Sequence, residues 1–488
     1  MLEKLLLMYE NFGQFIDGKW QKSSSGNTYE VINPATEEVI GNASKADSQD
    51  VQKALLSASK GLKIWRNTSP WNRAKIIRKI SELIRKKESV LSKWLTLEVG
   101  KPLSEGPAEV HSAADIFEWN SEETKRIFGE TNQSRSDNMR IIVNYEPVGV
   151  VAALVPWNFP ITLASRKIST ALAAGCSVIV KPDVITPGSV MEIVDICSEA
   201  GVPPGVVNLL SGDPAKVSEE LIKSDVIKKI SITGSTRVGK LILKQAAEKV
   251  QRGTMELSGH SPLIVFDDVD LNKVTDMAIT AKFRNNGQVC ISPSRFYIHE
   301  SKKSEFTDLM IKKTKLLKIG NGMDKGTVLG PLTTKQRLDG IEKLVEKTKQ
   351  EGGKVLLGGK RPAGFNKGYF YEPTIFDSIN DDFTIMREEP FGPLVPILSF
   401  KEFDEVIERA NNNDLGLCSY IYTNDLHKAH RTSELMETGC VAVNTPAVSV
   451  AEAPFGGIKQ TGYGREGGSM AIKDYLNVKF VHLGVSYK

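Results

Sequence analysis

Apolar residues recur along this chain in two alternating rhythms. Between 48 and about 128 the spacing is helical: Ile76, Ile77, Ile80, Leu83 and Ile84 share one face, and Gly100 with Pro102 supplies a stop. Beyond it, short apolar runs at 148–155, 177–180, 206–210, 229–233 and 263–266 read as buried strands. Helical spacing returns between them, at 161–174, 190–200, 216–223 and 238–250. Such alternation predicts an α/β fold with a doubly wound parallel sheet. Ligands of these sheets bind beyond the carboxyl ends of the strands, where turns present glycine and helix N-termini. A second α/β region runs from about 258 to the Gly-rich segment near Gly456, with helices expected at 341–349 and 403–411. The segments 139–145 and 478–485 alternate apolar and polar residues instead, as exposed edge strands that could pair between subunits. The stretch from Glu146 to Arg166 carries no charge between its ends, but Pro147, Pro156, Asn158 and Pro160 would break a membrane-spanning helix. A buried strand followed by a tight turn accounts for it.

Length and composition narrow the picture. A chain of 488 residues is too long for one hydrophobic core, so two large domains with a smaller appendage are expected, and a cleft between them. The net charge of +4 arises from 63 basic and 59 acidic residues, a balance that argues against nucleic acid or a membrane as partner. The lysines between 302 and 318 read as a solvated helix face. Five cysteines, at 176, 197, 290, 418 and 440, form no C-x-x-C pair and no metal-ligand spacing with the six histidines, so no metal is expected and a reduced, cytoplasmic setting fits best. Leu5 to Leu7 is interrupted by Glu3, Glu10 and Asp17 and has no small-residue cleavage site after it, so a signal peptide is not expected.

Several segments could carry chemistry. The turn Pro156-Trp157-Asn158-Phe159-Pro160 joins a strand to a helix and puts the Asn158 amide at the sheet edge, where it could donate to a developing oxyanion or merely satisfy the turn. The segment Thr233-Gly234-Ser235-Thr236-Arg237-Val238-Gly239-Lys240 suits a pyrophosphate held by backbone N–H groups and the helix dipole. It imitates a nucleotide-triphosphatase loop, but Leu241 stands where that loop needs Ser or Thr for magnesium. Lys181-Pro182 ends a strand, within reach of a ribose or phosphate. Glu256, in Glu256-Leu257-Ser258-Gly259, is either a desolvated general base or the structural partner of a lysine. Cys290 follows Gly287-Gln288-Val289 in a loop; buried cysteines are usually inert, yet Arg284 upstream and Arg295 downstream favour a reactive thiolate. The other four cysteines fall in apolar stretches and read as structural.

Together these segments resemble the aldehyde dehydrogenase superfamily: PWNFP, the strand ending in Lys181-Pro182, TGS, ELSG, GQVC, EEPFGP and PFGGIKQTGYGREGG occur in the family's order over nearly the whole chain. The resemblance implies a cofactor domain at 1–127 and 147–257, a catalytic domain at 258–460, and oligomerisation strands at 128–146 and 470–488. It implies Cys290 as nucleophile, Asn158 with the Cys290 backbone N–H as oxyanion donors, and Glu256 as general base. Pro156, Trp157, Gly234, Ser235 and Leu257 would line the cofactor site, with Lys181 and Glu389 on riboses, Ser235 on the pyrophosphate and Phe391 beside the nicotinamide. Retention of Glu256 implies a free carboxylate product rather than a coenzyme A ester. A homodimer or homotetramer is implied as well.

The stretch 114–129 is similar to the succinate-semialdehyde dehydrogenase branch, in which two arginines and a serine grip the distal carboxylate; the matching residues are Arg166, Arg284 and Ser449. A guanidinium pair would select carboxylate-bearing aldehydes over plain ones. The alternative is another short oxo- or hydroxy-aldehyde, with both arginines structural. Members that prefer NAD usually carry a glutamate where this chain has Val184, and its loss, beside Lys181, removes a repulsion of the 2′-phosphate and favours NADP over NAD, with Asp183 next door as a countervailing charge. Ser292 replaces the second cysteine of a redox switch found in some semialdehyde dehydrogenases. A P-loop nucleotide switch and a non-catalytic binding protein on the same fold are the readings from other classes.

Overall fold

The computed structural model of the protein describes residues 9–485; the leucine run at 5–7 and residues 486–488 lie outside the described residues. Two open sheets organise them. In the first, the parallel strands Val207–Leu209, Ser177–Lys181, Val150–Leu154, Ile227–Thr233 and Arg252–Glu256 lie side by side in that order. Antiparallel strands extend both edges, Gln14–Ile16 and Lys19–Gln21 on one side and Gly462–Tyr463 on the other. Successive residues of the central strand bury on opposite faces: Val151 and Ala153 join the core beneath the helices Pro70–Lys86, Gly106–Glu123 and Pro160–Ala174, and Val150, Ala152 and Leu154 join the core beneath Ser48–Arg66, Pro214–Lys223 and Thr236–Ala247. That two-residue alternation with both faces apolar is what demands helices on both sides.

The second sheet repeats the logic with the order Lys354–Leu357, Thr374–Asp377, Leu394–Phe400, Pro293–His299, Ser261–Val265, Cys418–Tyr422 and Cys440–Val443, parallel except at its first pair. Leu263 and Val265 face one core, Ile264 and Phe266 the other.

Two strand assignments differ from expectation. The run at 263–266 lies in the second sheet, within the region expected from about 258, but the fifth parallel strand of the first sheet, Arg252–Glu256, was not expected, so Glu256 ends its own strand rather than merely preceding another. An Arg-Gly start and a terminal Glu hid it, because periodicity needs apolar residues to register. Met139–Pro147 is the central strand of a three-stranded antiparallel sheet, between Glu130–Gln133 and Leu476–Gly484. Its residues are half-buried on both faces along almost its whole length, and the outer strand Leu476–Gly484 beside it leaves Val478 and Phe480 exposed. Among the described residues no helix is long and apolar enough to cross a membrane.

Candidate active site

Cys290 reaches the cleft through a sharp left-handed turn. After the helix Leu271–Phe283, Asn285, Asn286 and Gly287 hold φ angles of 49°, 54° and 74°. Asparagine tolerates that region better than most residues, and at Gly287 a Cβ would stand 2.3 Å from the Gly392 carbonyl oxygen, so the neighbouring turn can approach only a glycine. Side chains tie the turn down. Asn285 Nδ2 donates to the carbonyls of Asn158 at 3.1 Å and Gln288 at 3.2 Å, Asn158 Nδ2 donates to the Gln288 carbonyl at 3.2 Å, and the Thr333 N–H donates to Gln288 Oε1 at 2.9 Å. Asn158 keeps one amide proton free for a ligand. A Cβ at Gly259 would meet the Cys290 carbonyl oxygen at 2.4 Å, so this glycine lets the Glu256 segment lie against the cysteine loop. Cys290 and Asn158 line two cavities at once, one on each side of the thiol.

Glu256 is 1% exposed, and neither carboxylate oxygen has a hydrogen-bond partner. Burial, reinforced by the Glu466 charge and opposed by Lys167, pushes its pKa up to about 7. Of its two sequence readings, the lysine partner is not what the structure contains: Lys167, fully buried, donates to Thr233 Oγ1 at 2.8 Å and pairs with Glu466. Nothing in the sequence marked Lys167, and Glu466 lay without an assigned role inside the PFGGIKQTGYGREGG motif; the two are 299 positions apart and meet only in the fold. Cys290 corrects a second expectation. Burial, and then Glu256, raise its thiol well above the ordinary value, with Arg284 opposing. Arg295 instead turns inward and donates to the carbonyls of His260 and Ala410, both at 2.9 Å.

The outer cavity, about 590 Å³, collects Arg166, Arg284 and Ser449 with Cys290. Arg166 is 2% exposed; its Nη2 donates to Ser449 Oγ at 2.9 Å, its guanidinium lies 5.0 Å from the Phe455 ring centroid, and its Nη1 is buried without a partner. Arg284 lies 4.9 Å from the Phe159 ring centroid. No carboxylate forms an ion pair with either arginine among the described residues. Sequence reading missed the acids and the lysine on this wall. Lys101 and Glu109 form a buried pair, Glu109 Oε1 accepts the N–H of Ile161 at 3.1 Å at the start of the Pro160–Ala174 helix, and Glu105 accepts the Asn285 N–H at 2.9 Å, bracing the cysteine turn. Lys101 and Glu105 precede the helix Gly106–Glu123 and Glu109 lies on it, in a stretch whose spacing read only as helical.

On the other side of Cys290 two further cavities, about 580 and 550 Å³, follow the carboxyl ends of the first sheet. The nearer is lined by Pro156, Trp157, Gly234, Ser235, Leu257, Glu389 and Phe391 besides Glu256; the farther adds Lys181 and Asp183. Val184 does not line either, and the side chain that faces the farther cavity is Asp183. Glu389 accepts the Gly259 N–H at 3.3 Å, and burial lifts its pKa to about 7. Phe391 packs edge-on against Trp157, ring centroids 5.6 Å apart, and Arg337 braces its turn by donating to the Pro390 carbonyl at 2.7 Å. Ser235 caps the helix Thr236–Ala247 by accepting the Val238 N–H at 3.3 Å. Lys240 donates to Gln460 Oε1 at 2.7 Å, committed away from the role a phosphate-loop lysine would need. A Cβ at Gly234 would meet nothing closer than Ile232 at 3.9 Å, so backbone lies open to the cavity there. A long, partly polar channel with a helix N-terminus at its middle fits a dinucleotide.

Known proteins with this arrangement are close at hand. The profile described as "Aldehyde dehydrogenase family" matches residues 20–481. A glutarate-semialdehyde dehydrogenase of Pseudomonas putida is 39% identical over 471 residues, 96% of this chain and 97% of the relative. An Escherichia coli succinate-semialdehyde dehydrogenase [NADP(+)] is 37% identical over 96% of this chain and 97% of its own length. The crystal structure of succinate-semialdehyde dehydrogenase from Burkholderia pseudomallei superposes with a TM-score of 0.95 at 39% identity, covering 97% of this chain and 98% of that one. The chain belongs to the aldehyde dehydrogenase family.

Proposed function

We propose that this protein oxidises a short aldehyde bearing a distal carboxylate, a succinate or glutarate semialdehyde, to the free acid with NADP+ in preference to NAD+. The observation that carries the substrate class is Arg166: a buried guanidinium with one nitrogen unpartnered, backed by Ser449 and facing Arg284 across the cavity that holds Cys290. A buried cation without an anion is costly, and a carboxylate ligand would relieve that cost. The names of the relatives point to the same chemistry.

The Cys290 thiolate attacks the aldehyde carbon, and the free Asn158 amide proton with the Cys290 N–H steadies the oxyanion without reorganising water. When bound, the oxidised nicotinamide supplies the acceptor for the hydride leaving that carbon. Glu256 then takes a proton from the water that hydrolyses the Cys290 thioester. Trp157 and Phe391 flank one end of the cofactor channel, Glu389 and Lys181 would hold ribose hydroxyls along it, and Ser235 and Gly234 would present the helix N-terminus to the pyrophosphate. The same reading has the enzyme act in the cytoplasm as a homodimer or homotetramer, supported by its free thiols and the exposed Val478 and Phe480 on the C-terminal strand.

Steady-state comparison of succinate semialdehyde with butyraldehyde tests the substrate class. A charge-assisted contact of about 3 kcal/mol corresponds to a preference of about 100-fold in kcat/KM for the carboxylate. Arg166→Leu should erase most of it while sparing butyraldehyde; equal efficiencies in the wild type would favour a plain oxo- or hydroxy-aldehyde and leave the arginines structural. For the cofactor, Val184 itself lines neither cavity, but the longer side chain of Val184→Glu would extend toward the farther one and should shift the NADP/NAD ratio of kcat/KM toward NAD by about tenfold, through repulsion of the 2′-phosphate. An unchanged ratio would transfer that role to Lys181 and Asp183 alone.

A further inference from the structure

We propose that Arg237 grips the pyrophosphate of the dinucleotide, completing an anion site that the backbone leaves half built; the inference rests on the cofactor reading above. The two cavities beyond Cys290 share six residues, Pro156, Trp157, Thr233, Gly234, Ser235 and Arg237, and Arg237 is the only charged one among them. A dinucleotide whose nicotinamide faces Cys290 in the nearer cavity and whose adenosine ribose faces Lys181 in the farther must lay its linking pyrophosphate across this shared wall.

The first turn of the helix Thr236–Ala247 ends there, but part of its donor capacity is already used: the Val238 N–H donates to Ser235 Oγ at 3.3 Å and the Thr236 N–H to Ser258 Oγ at 3.4 Å. Two negative charges therefore meet fewer backbone donors than a bare helix start would offer. The surrounding walls are acidic, with Asp183 and Glu219 on the farther cavity and Glu256, Glu388, Glu389 and Asp414 on the nearer. Of the other cations on these walls, Lys181 stands at the far, ribose end of the farther cavity, and the two on the nearer cavity are committed. Arg337 donates to the Pro390 and Phe391 carbonyls, and Arg387 pairs with Asp382. Arg237 has no ion pair or hydrogen bond among the described residues, and its side chain is exposed to the channel. A fork of guanidinium donors matches two adjacent phosphate oxygens where an ammonium would offer a point charge.

Arg237→Gln and Arg237→Lys test this by direct titration of NAD, NADP and ADP onto the aldehyde-free protein, followed by calorimetry. At low ionic strength Arg237→Gln should raise Kd about five- to tenfold for all three ligands alike, as a solvent-exposed charge-assisted contact allows, and added salt should shrink that gap. Arg237→Lys should recover part of the affinity. A loss confined to NADP would assign Arg237 to the 2′-phosphate and overturn the proposal, as would Kd values unchanged in Arg237→Gln. Failure of the wild type to bind either dinucleotide would instead overturn the cofactor reading itself, so the two failures are distinguishable.

Discussion

Cys290→Ala is expected to lower aldehyde oxidation by at least about 10⁴-fold, because removing a nucleophile leaves only binding and oxyanion stabilisation. None of the other four cysteines can substitute. Cys176, Cys197 and Cys418 are fully buried, and none of them lines the cavities that meet at Cys290. Cys440 is partly exposed, but its Sγ is turned to the Gly456 carbonyl at 3.8 Å. Cofactor titration should be unaffected, since the loop is held by Asn285, Asn158 and Gln288 rather than by the sulfur. Steady-state rates together with mass spectrometry of the acylated enzyme check this: wild type should carry one acyl group on Cys290 and the variant none. Residual turnover within tenfold of wild type would move the nucleophile elsewhere.

Glu256→Gln is expected to separate the two halves of the reaction, leaving a rapid burst of reduced cofactor followed by turnover about 10² to 10⁴ times slower, the range a general base contributes. The carboxylate now raises the Cys290 thiol, so its neutral isostere should ease thiolate formation while removing the acceptor of the water proton. Stopped-flow absorbance resolves the burst, and its absence would mean that Glu256 acts before hydride transfer. The pH profile adds a check. With a pKa of about 7 the base is protonated and idle in acid, so wild-type hydrolysis of the thioester should climb as pH rises through 7, and the variant should lose that limb. Folding stability has the opposite pH dependence. A carboxyl whose pKa is raised on folding favours the folded state most when protonated, below the ordinary 4.5, and loses that contribution as pH rises to about 7. The fold is thus least comfortable where the base is ready to work.

Much of the architecture was legible in the chain itself. The 3.6-residue spacing of Ile77, Ile80 and Ile84 and the buried runs around Val151 and Val178 are local patterns, and local patterns determine which faces must be covered and hence a doubly wound sheet. Motif order carried the family, and with it Cys290, Glu256 and Asn158 as candidates, since loops that present chemistry at strand ends have restrictive residue requirements, as at Gly287 and Gly259. Strand Arg252–Glu256 escaped notice because its ends are charged or glycine, and its membership in a sheet depends on partners far away in sequence.

Only the tertiary structure decided how these candidates are charged and what surrounds them. Sequence neighbours Arg284 and Arg295 flank Cys290 equally, yet one stays in the cavity and the other is spent on the carbonyls of His260 and Ala410. Lys167 was available to Glu256 or to Glu466, and its geometry gave it to Glu466, leaving Glu256 a buried base without a partner. Periodicity and motif spacing are properties of a few adjacent residues and can be read in one dimension. Desolvation and ion pairing depend on which side chains from distant segments share a few cubic ångströms of low-dielectric space, and that is known only once the chain has closed on itself.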